Sequence, residues 1–371
     1  MKTDSKIIYP RFNELRDVLS DSVLHSELMG FLRSKGIYYF NTSRDVAAML
    51  TSRLLLSGDD LELIRQYAYR TSQKSLLSGF TLVSESFFDL NSIYETIQEK
   101  EVLKKDGYHL KTLEKLGDKK FQGSIVYRKR KPGRNEFLKI EERNIAFSME
   151  ALTEKQWQVE IDGESSADGK VIQQMFSLAV KDKKISMEEI LFDGLSDANK
   201  ITFFDRLVKE GLGEEWAIED VLRLTLKKPK SQTEESDDPD EDAAKDDGRK
   251  EAKDDDVKEA SKEQLSGIAQ AILEGKNLRE NRFVHLAEEG GYVFSSMTYM
   301  FVRSKDNSHL KIRAEFKGNP KIFEVSLEGF SSTATDAGDD MVMGLSEEDN
   351  RKYRSQFWNA AKNIYLDLYK K

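Results

Sequence analysis

Residues 231–262 read SQTEESDDPDEDAAKDDGRKEAKDDDVKEASK, with one Val, no aromatic side chain, and fourteen acidic against six basic residues. So little apolar surface cannot offset, by burial, the entropy that ordering the backbone would cost. Whatever folds in this chain must therefore fold on either side of a break. The same segment decides what the charge means. The chain carries a net charge of -9, and nearly all of it sits here, so the flanking parts are close to neutral. An acidic isoelectric point is then no argument against a polyanionic partner. The segment reads as a solvated tether, with an acidic tail that docks on a basic surface as the sharper alternative.

At 371 residues the chain has room for two or three domains of about 100–200 residues each. It contains no cysteine, which excludes a disulfide framework, a thiolate zinc site, an iron–sulfur cluster and a cysteine nucleophile. The histidines, His25, His109, His285 and His309, form no pair at ligand spacing, so no cofactor is expected. The opening residues MKTDSKIIYPRF lack a signal-peptide apolar core, and no 18-residue apolar run occurs. A cytoplasmic protein with no membrane partner is the expectation.

From Phe12 to Asp106 the apolar spacing is helical. Leu15, Val18 and Leu19, then Leu24, Leu28, Phe31 and Leu32, recur near a period of 3.6. Asn41 to Asp45 offers cap residues, Gly58 closes one helix, and a last helix is predicted over 85–105. From Gly107 the texture turns to strands, at 123–130, 135–140, 145–152 and 157–162. Helices follow over 171–180, 186–192 and 197–210, and a closing strand over 221–226. The last helix, 347–369, carries Tyr353, Phe357, Trp358, Ala361, Ile364, Tyr365 and Leu368 on one stripe, which suits the cover of a sheet.

Sliding the chain by 172 residues aligns 124–140 with 296–312. Ser124/Ser296, Tyr127/Tyr299, Asn135/Asn307, Leu138/Leu310, Lys139/Lys311 and Ile140/Ile312 are identical. After a short gap, 157–166 aligns with 323–332, each with an aromatic residue, a strand, an acid–Gly turn and a Ser pair in that order. This points to an internal duplication. The resulting reading is α+β: an α-helical domain at 1–106, a first α+β module with a basic hairpin at 107–228, an acidic disordered linker at 229–264, and a second module at 265–371 ending in an amphipathic helix.

Between 119 and 134 the first module holds Lys119, Lys120, Arg128, Lys129, Arg130, Lys131 and Arg134 without one acid. Such a finger can lie in a groove and neutralise phosphates, with Tyr127 packing on a sugar or base. A soluble edge strand would also use Lys and Arg in this way. Three sharper chemistries remain. The segment 163–171, GESSADGKV, sits where a phosphate loop would but misses its spacing, and Val171 replaces the metal-binding hydroxyl. Asp306, Glu315 and Lys317 fit a loose Mg²⁺-nuclease triplet, with Glu315 and Lys317 on one strand face; Arg143 aligns with Glu315 in the other copy. The helices of 42–70 could form a helix-turn-helix that presents Arg65, Arg70 and Lys74 to DNA. The reading these residues support first is a non-catalytic binding or assembly protein that contacts nucleic acid or another polyanion through the hairpin, with a protein partner alongside. The alternatives are a Mg²⁺-dependent nuclease in the second module and a protein–protein adaptor.

Overall fold

The computed structural model describes residues 9–40, 42–70, 75–85, 90–98, 107–117, 119–130, 136–138, 140–181, 184–228, 269–331 and 345–369. The acidic linker lies outside them. Helices and antiparallel strands make the chain α+β. Its contacts divide into two compact units, residues 1–75 with 83–186 and residues 76–82 with 187–371.

The first unit begins with α1 (Phe12–Asp21), α2 (His25–Ser34), α3 (Arg44–Thr51) and α4 (Gly58–Arg70). Each starts as its sequence dictates. The Glu14 and Glu27 carboxylates accept the Arg11 and Leu24 amides ahead of α1 and α2, and the Ser43 hydroxyl accepts the Val46 amide in α3. Leu15, Leu19, Leu28, Phe31, Ala47, Leu61 and Ile64 close on one core, so the 3.6-residue spacing is realised.

That helical pattern does not run on to 106. Residues Leu76–Ser84 form strand β1, which is buried on both faces and so shows neither a helical nor an alternating period. After it comes α5 (Leu90–Gln98), shorter than the helix predicted at 85–105. Strands β2 (Tyr108–Lys115), β3 (Lys120–Arg130), β4 (Ile140–Thr153) and β5 (Gln156–Gly163) then pair in sequence as an antiparallel meander. Helix α6 (Ser166–Val180) lies on one face, where Phe176 meets Phe121 and Phe147. The strand predicted at 135–140 is instead a 3₁₀ turn, Glu136–Leu138. Phe137 and Leu138 leave the sheet and are buried in the core of α1–α4.

The helix predicted at 186–192 is strand β6 (Ile185–Glu189) followed by a 3₁₀ turn, Phe192–Gly194. In β6 half-buried Ile185, Met187 and Glu189 alternate with exposed Ser186 and Glu188, a period of two that outweighs helix propensity. In the second unit follow α7 (Asp197–Glu210), β7 (Trp216–Lys227), β8 (Gln270–Glu274), α8 (Arg282–Glu289), β9 (Val293–Arg303), β10 (His309–Lys317), β11 (Ile322–Ser331) and α9 (Glu347–Tyr369). The ladder runs β1, β11, β10, β9, β7, β8, antiparallel throughout. The strand expected to close the first module lies in β7, whose partners are β8 and β9. Every residue of the α9 stripe is buried, packed with Phe203, Phe204, Tyr299, Phe301, Phe316 and Phe323. Each large side chain taken out of water there contributes about 1.5–3 kcal/mol.

Strand–strand–strand–helix is the order of both β3–β4–β5–α6 and β9–β10–β11–α9. The pairing inside them is not the same. Tyr127 stands opposite Arg143, whereas Tyr299 stands opposite Ile312, the residue that the 172-residue offset equates with Ile140. The two hairpins are out of step by three residues, so the aligned identities on both sides of the turn do not occupy equivalent pairs.

Candidate interaction surface

The basic strand β3 is not at an edge: β2 pairs with one side of it and β4 with the other. Because side chains alternate, Phe121, Ile125 and Tyr127 are buried toward α6, and Lys120, Gln122, Ser124, Val126 and Arg128 take the opposite face. What stands across from them on β4 was invisible to a count along the strand. Lys120 pairs in register with Glu150 and Arg128 with Glu142, and the side chains meet at 2.8 Å and 3.8 Å. Glu114 of β2 and Glu160 of β5 fall on the same face by register. Bases and acids are thus interleaved over this surface. Lys119 is exposed just before β3, and Lys129 is half-buried on the other face. Arg130 ends the ladder opposite Ile140. Lys131 and Arg134 lie outside the described residues.

Past residues 131–135, which lie outside the described residues, the connection is anchored. Phe137 is buried among the helices, Arg65 Cζ lies 4.7 Å from its ring centroid, and Arg65 Nε donates to the Phe137 carbonyl at 3.2 Å. This removes Arg65 from the face of a helix-turn-helix; Leu61, Ile64 and Ala68 bury the same helix. Arg70 ends α4, and Lys74 is outside the described residues.

Tyr127 cannot stack on a base. It is buried and donates to Asp168 Oδ1. Burial first, and then the Asp168 carboxylate, push its phenol well above the ordinary tyrosine range. The other Asp168 oxygen accepts the Glu164 and Ser165 amides at 2.8 Å and 2.9 Å. Arg143, itself buried, reaches Glu164 at 3.2 Å and donates to the Ser165 hydroxyl at 3.3 Å. These contacts explain the loop at 163–171. The amides at the start of α6, which a phosphate would need, are taken by a carboxylate of the chain itself. A Cβ on Gly163 would stand 2.8 Å from Asp168 Cβ, so the glycine is there for that close approach. The spacing Ser165-x-x-Asp168 was the readable sign of a capped helix start.

The nuclease triplet does not assemble. Asp306 sits in the turn between β9 and β10, held by Arg303 Nε at 2.9 Å and the Ser308 amide at 3.1 Å. The Arg303 guanidinium, with Ser308, keeps its carboxyl well below the usual range. Glu315 lies six strand residues beyond His309, which at ~3.4 Å per residue puts it about 20 Å along the strand. Two carboxylates that far apart cannot share one ion. Glu315 instead accepts Arg313 Nη2 at 2.7 Å. Lys317 does share the Glu315 face of β10. Among the described residues no group of three or more Asp, Glu or His stands close enough to hold a metal, and no helix is long and apolar enough to cross a membrane.

No family model matches the chain, and no curated protein is similar to it at a significant level. Of solved structures, it overlaps with DynU16, a protein of the dynemicin biosynthetic locus, at 11% identity and a TM-score of 0.20, over 79% of this chain and 98% of that one. It overlaps likewise with the di-domain ARO/CYC BexL from the BE-7585A biosynthetic pathway, at 9% identity and a TM-score of 0.17, over 79% of this chain and 97% of that one. Overlaps this loose transfer neither fold nor role.

Proposed function

We propose that this chain is a non-catalytic binding or assembly protein whose partner is another protein. The observation that supports this is the face of β3 and β4. Lys120, Arg128, Glu142, Asn144 and Glu150 present alternating charge and hydrogen-bonding groups, a pattern that complements a mixed protein surface and repels a run of phosphates at each Glu. Exposed large side chains in the helical region, Tyr38, Phe40 and Leu55, add anchors of the kind protein interfaces use. The shared element order supports descent of the β3–α6 and β9–α9 segments from one duplicated module; the acidic tether of 229–264 falls between β7 and β8.

Contact with nucleic acid or another polyanion through the hairpin is the second reading, favoured by the exposure of Lys119 and Arg128. Fluorescence anisotropy with labelled duplex DNA, single-stranded DNA and RNA, at low and physiological salt, separates the two. The protein-partner reading expects no binding at physiological salt. Binding that falls with salt and weakens in an Arg128→Ser/Lys129→Ser variant would put the polyanion first.

A further inference from the structure

Among the described residues β2 and β8 are outermost strands, one in each unit, and they are finished differently. In the first unit, β2 has a register shift between Leu110 and Thr112 and carries exposed Lys111 and Lys115. A bulge and lysines are the devices that keep an edge from templating a further strand. In the second unit, β8 pairs with β7 without a shift, and its sequence, Gln-Ala-Ile-Leu-Glu, contains no Lys, Arg, Pro or Gly. Ile272, at its centre, is 50% exposed.

The register says which backbone groups point outward. Lys228 N donates to Ala269 O and Gly275 N to Leu222 O, so the hydrogen-bonded pairs between them are Leu226 with Ala271 and Leu224 with Leu273. Gln270, Ile272 and Glu274 therefore turn their N–H and C=O groups away from β7. Ala271 and Leu273 pack against the core, which leaves the side chains of Gln270, Ile272 and Glu274 exposed on the other face, Glu274 with one carboxylate oxygen 3.2 Å from Arg223 of β7.

We propose that β8 is a docking edge for an extended segment of a partner protein, which adds an antiparallel strand beside Gln270–Glu274. The assignment rests on the reading of the chain as a protein-binding module and names the surface used. The chemistry of the segment follows from the exposed side chains. A basic residue stands opposite Glu274, a β-branched apolar residue two positions later opposite Ile272, and a polar residue two positions after that opposite Gln270. A second copy of this chain fits less well. Self-pairing would set Gln270 against Glu274 and so face that carboxylate with no base, where a partner strand can supply one.

The probe is a labelled peptide centred on Arg-Thr-Val-Thr-Gln, titrated by anisotropy against the full chain. Ile272→Pro deletes an outward donor that β7 does not use, and Ile272→Lys leaves the backbone alone and adds an edge charge. Wild type binds the peptide, and both variants, their circular dichroism and urea midpoint retained, bind about tenfold or more weakly. N-methylation of the central Val abolishes binding, and N-methylation of the following Thr does not. No binding by wild type, or binding indifferent to both variants and to the methyl position, overturns the proposal without touching the polyanion test above. A concentration-dependent dimer in sedimentation that Ile272→Pro dissolves would overturn it too, by giving the edge to a second copy.

Discussion

The connection between β3 and β4 and the connection between β9 and β10 join strands in the same place in two similar runs of elements, yet they are held by opposite means. The β9–β10 turn is short and is held largely by its own polar groups: Arg303 grips Asp306, Asp306 accepts the Ser308 amide, and Asn307 takes a positive φ of 54°, with Ser304 N donating to the Glu215 carbonyl and Arg303 to the Tyr353 hydroxyl beside it. The β3–β4 connection is longer and is held from outside, by burying Phe137 and Leu138 in the helical core and by the Arg65 contact to the Phe137 carbonyl. A turn pinned mainly by its own polar groups can be cut back to a few residues. One that carries a tertiary anchor cannot, and the three-residue slip in pairing between the two hairpins goes with that difference.

Removing the anchor should have the largest effect. Phe137→Ala opens a cavity where an aromatic ring joins hairpin to helices, at a cost of about 3 to 5 kcal/mol, read as a lower urea midpoint with early loss of helical signal from α1–α4. An unchanged midpoint would mean that the hairpin and helices are not coupled through this ring. Next comes the network behind β3. Asp168→Ala strands the buried Tyr127 hydroxyl and two amides, and should cost about 3 kcal/mol; Asp168→Asn should recover part of that.

The β9–β10 turn gives the smallest effect, and its pH dependence has a definite sign. The Asp306 carboxyl is held below its ordinary range, so its contribution is fully present above the unfolded carboxylate pKa of about 4 and is lost as pH falls through the lower folded value. Asp306→Asn should lower the urea midpoint slightly at neutral pH, with the gap to wild type closing on acidification. A gap that widened in acid would contradict the Arg303–Asp306 assignment.

What the sequence made legible were elements whose signals are local. Helix α7 occupies 197–210 as expected because Ser196 caps it and Gly211 follows it, and α9 buries the stripe its spacing announced. Strand β1 and the 3₁₀ turn at Glu136–Leu138 were missed for one reason, that their apolar residues answer to neighbours distant in sequence rather than to a period of their own. The same reason kept the setting of the basic strand out of view. Seven bases without an acid read as a phosphate finger, and Glu142 and Glu150 become neighbours of Arg128 and Lys120 only when β4 folds back, since register is not written in the strand itself. The stretch that resembled a phosphate loop was a capped helix start, and Ser165 and Asp168 carried that signal in plain spacing.

If acids across the strand neutralise the basic face of β3, taking those acids away should uncover it. Labelled RNA and duplex DNA should be titrated by anisotropy at physiological salt against wild type and a Glu142→Gln/Glu150→Gln variant. Wild type should not bind, and the variant should bind in a salt-sensitive way, as Lys120 and Arg128 lose their partners. Equal, salt-sensitive binding by both proteins would contradict that neutralisation and make the β3 face a polyanion site as it stands.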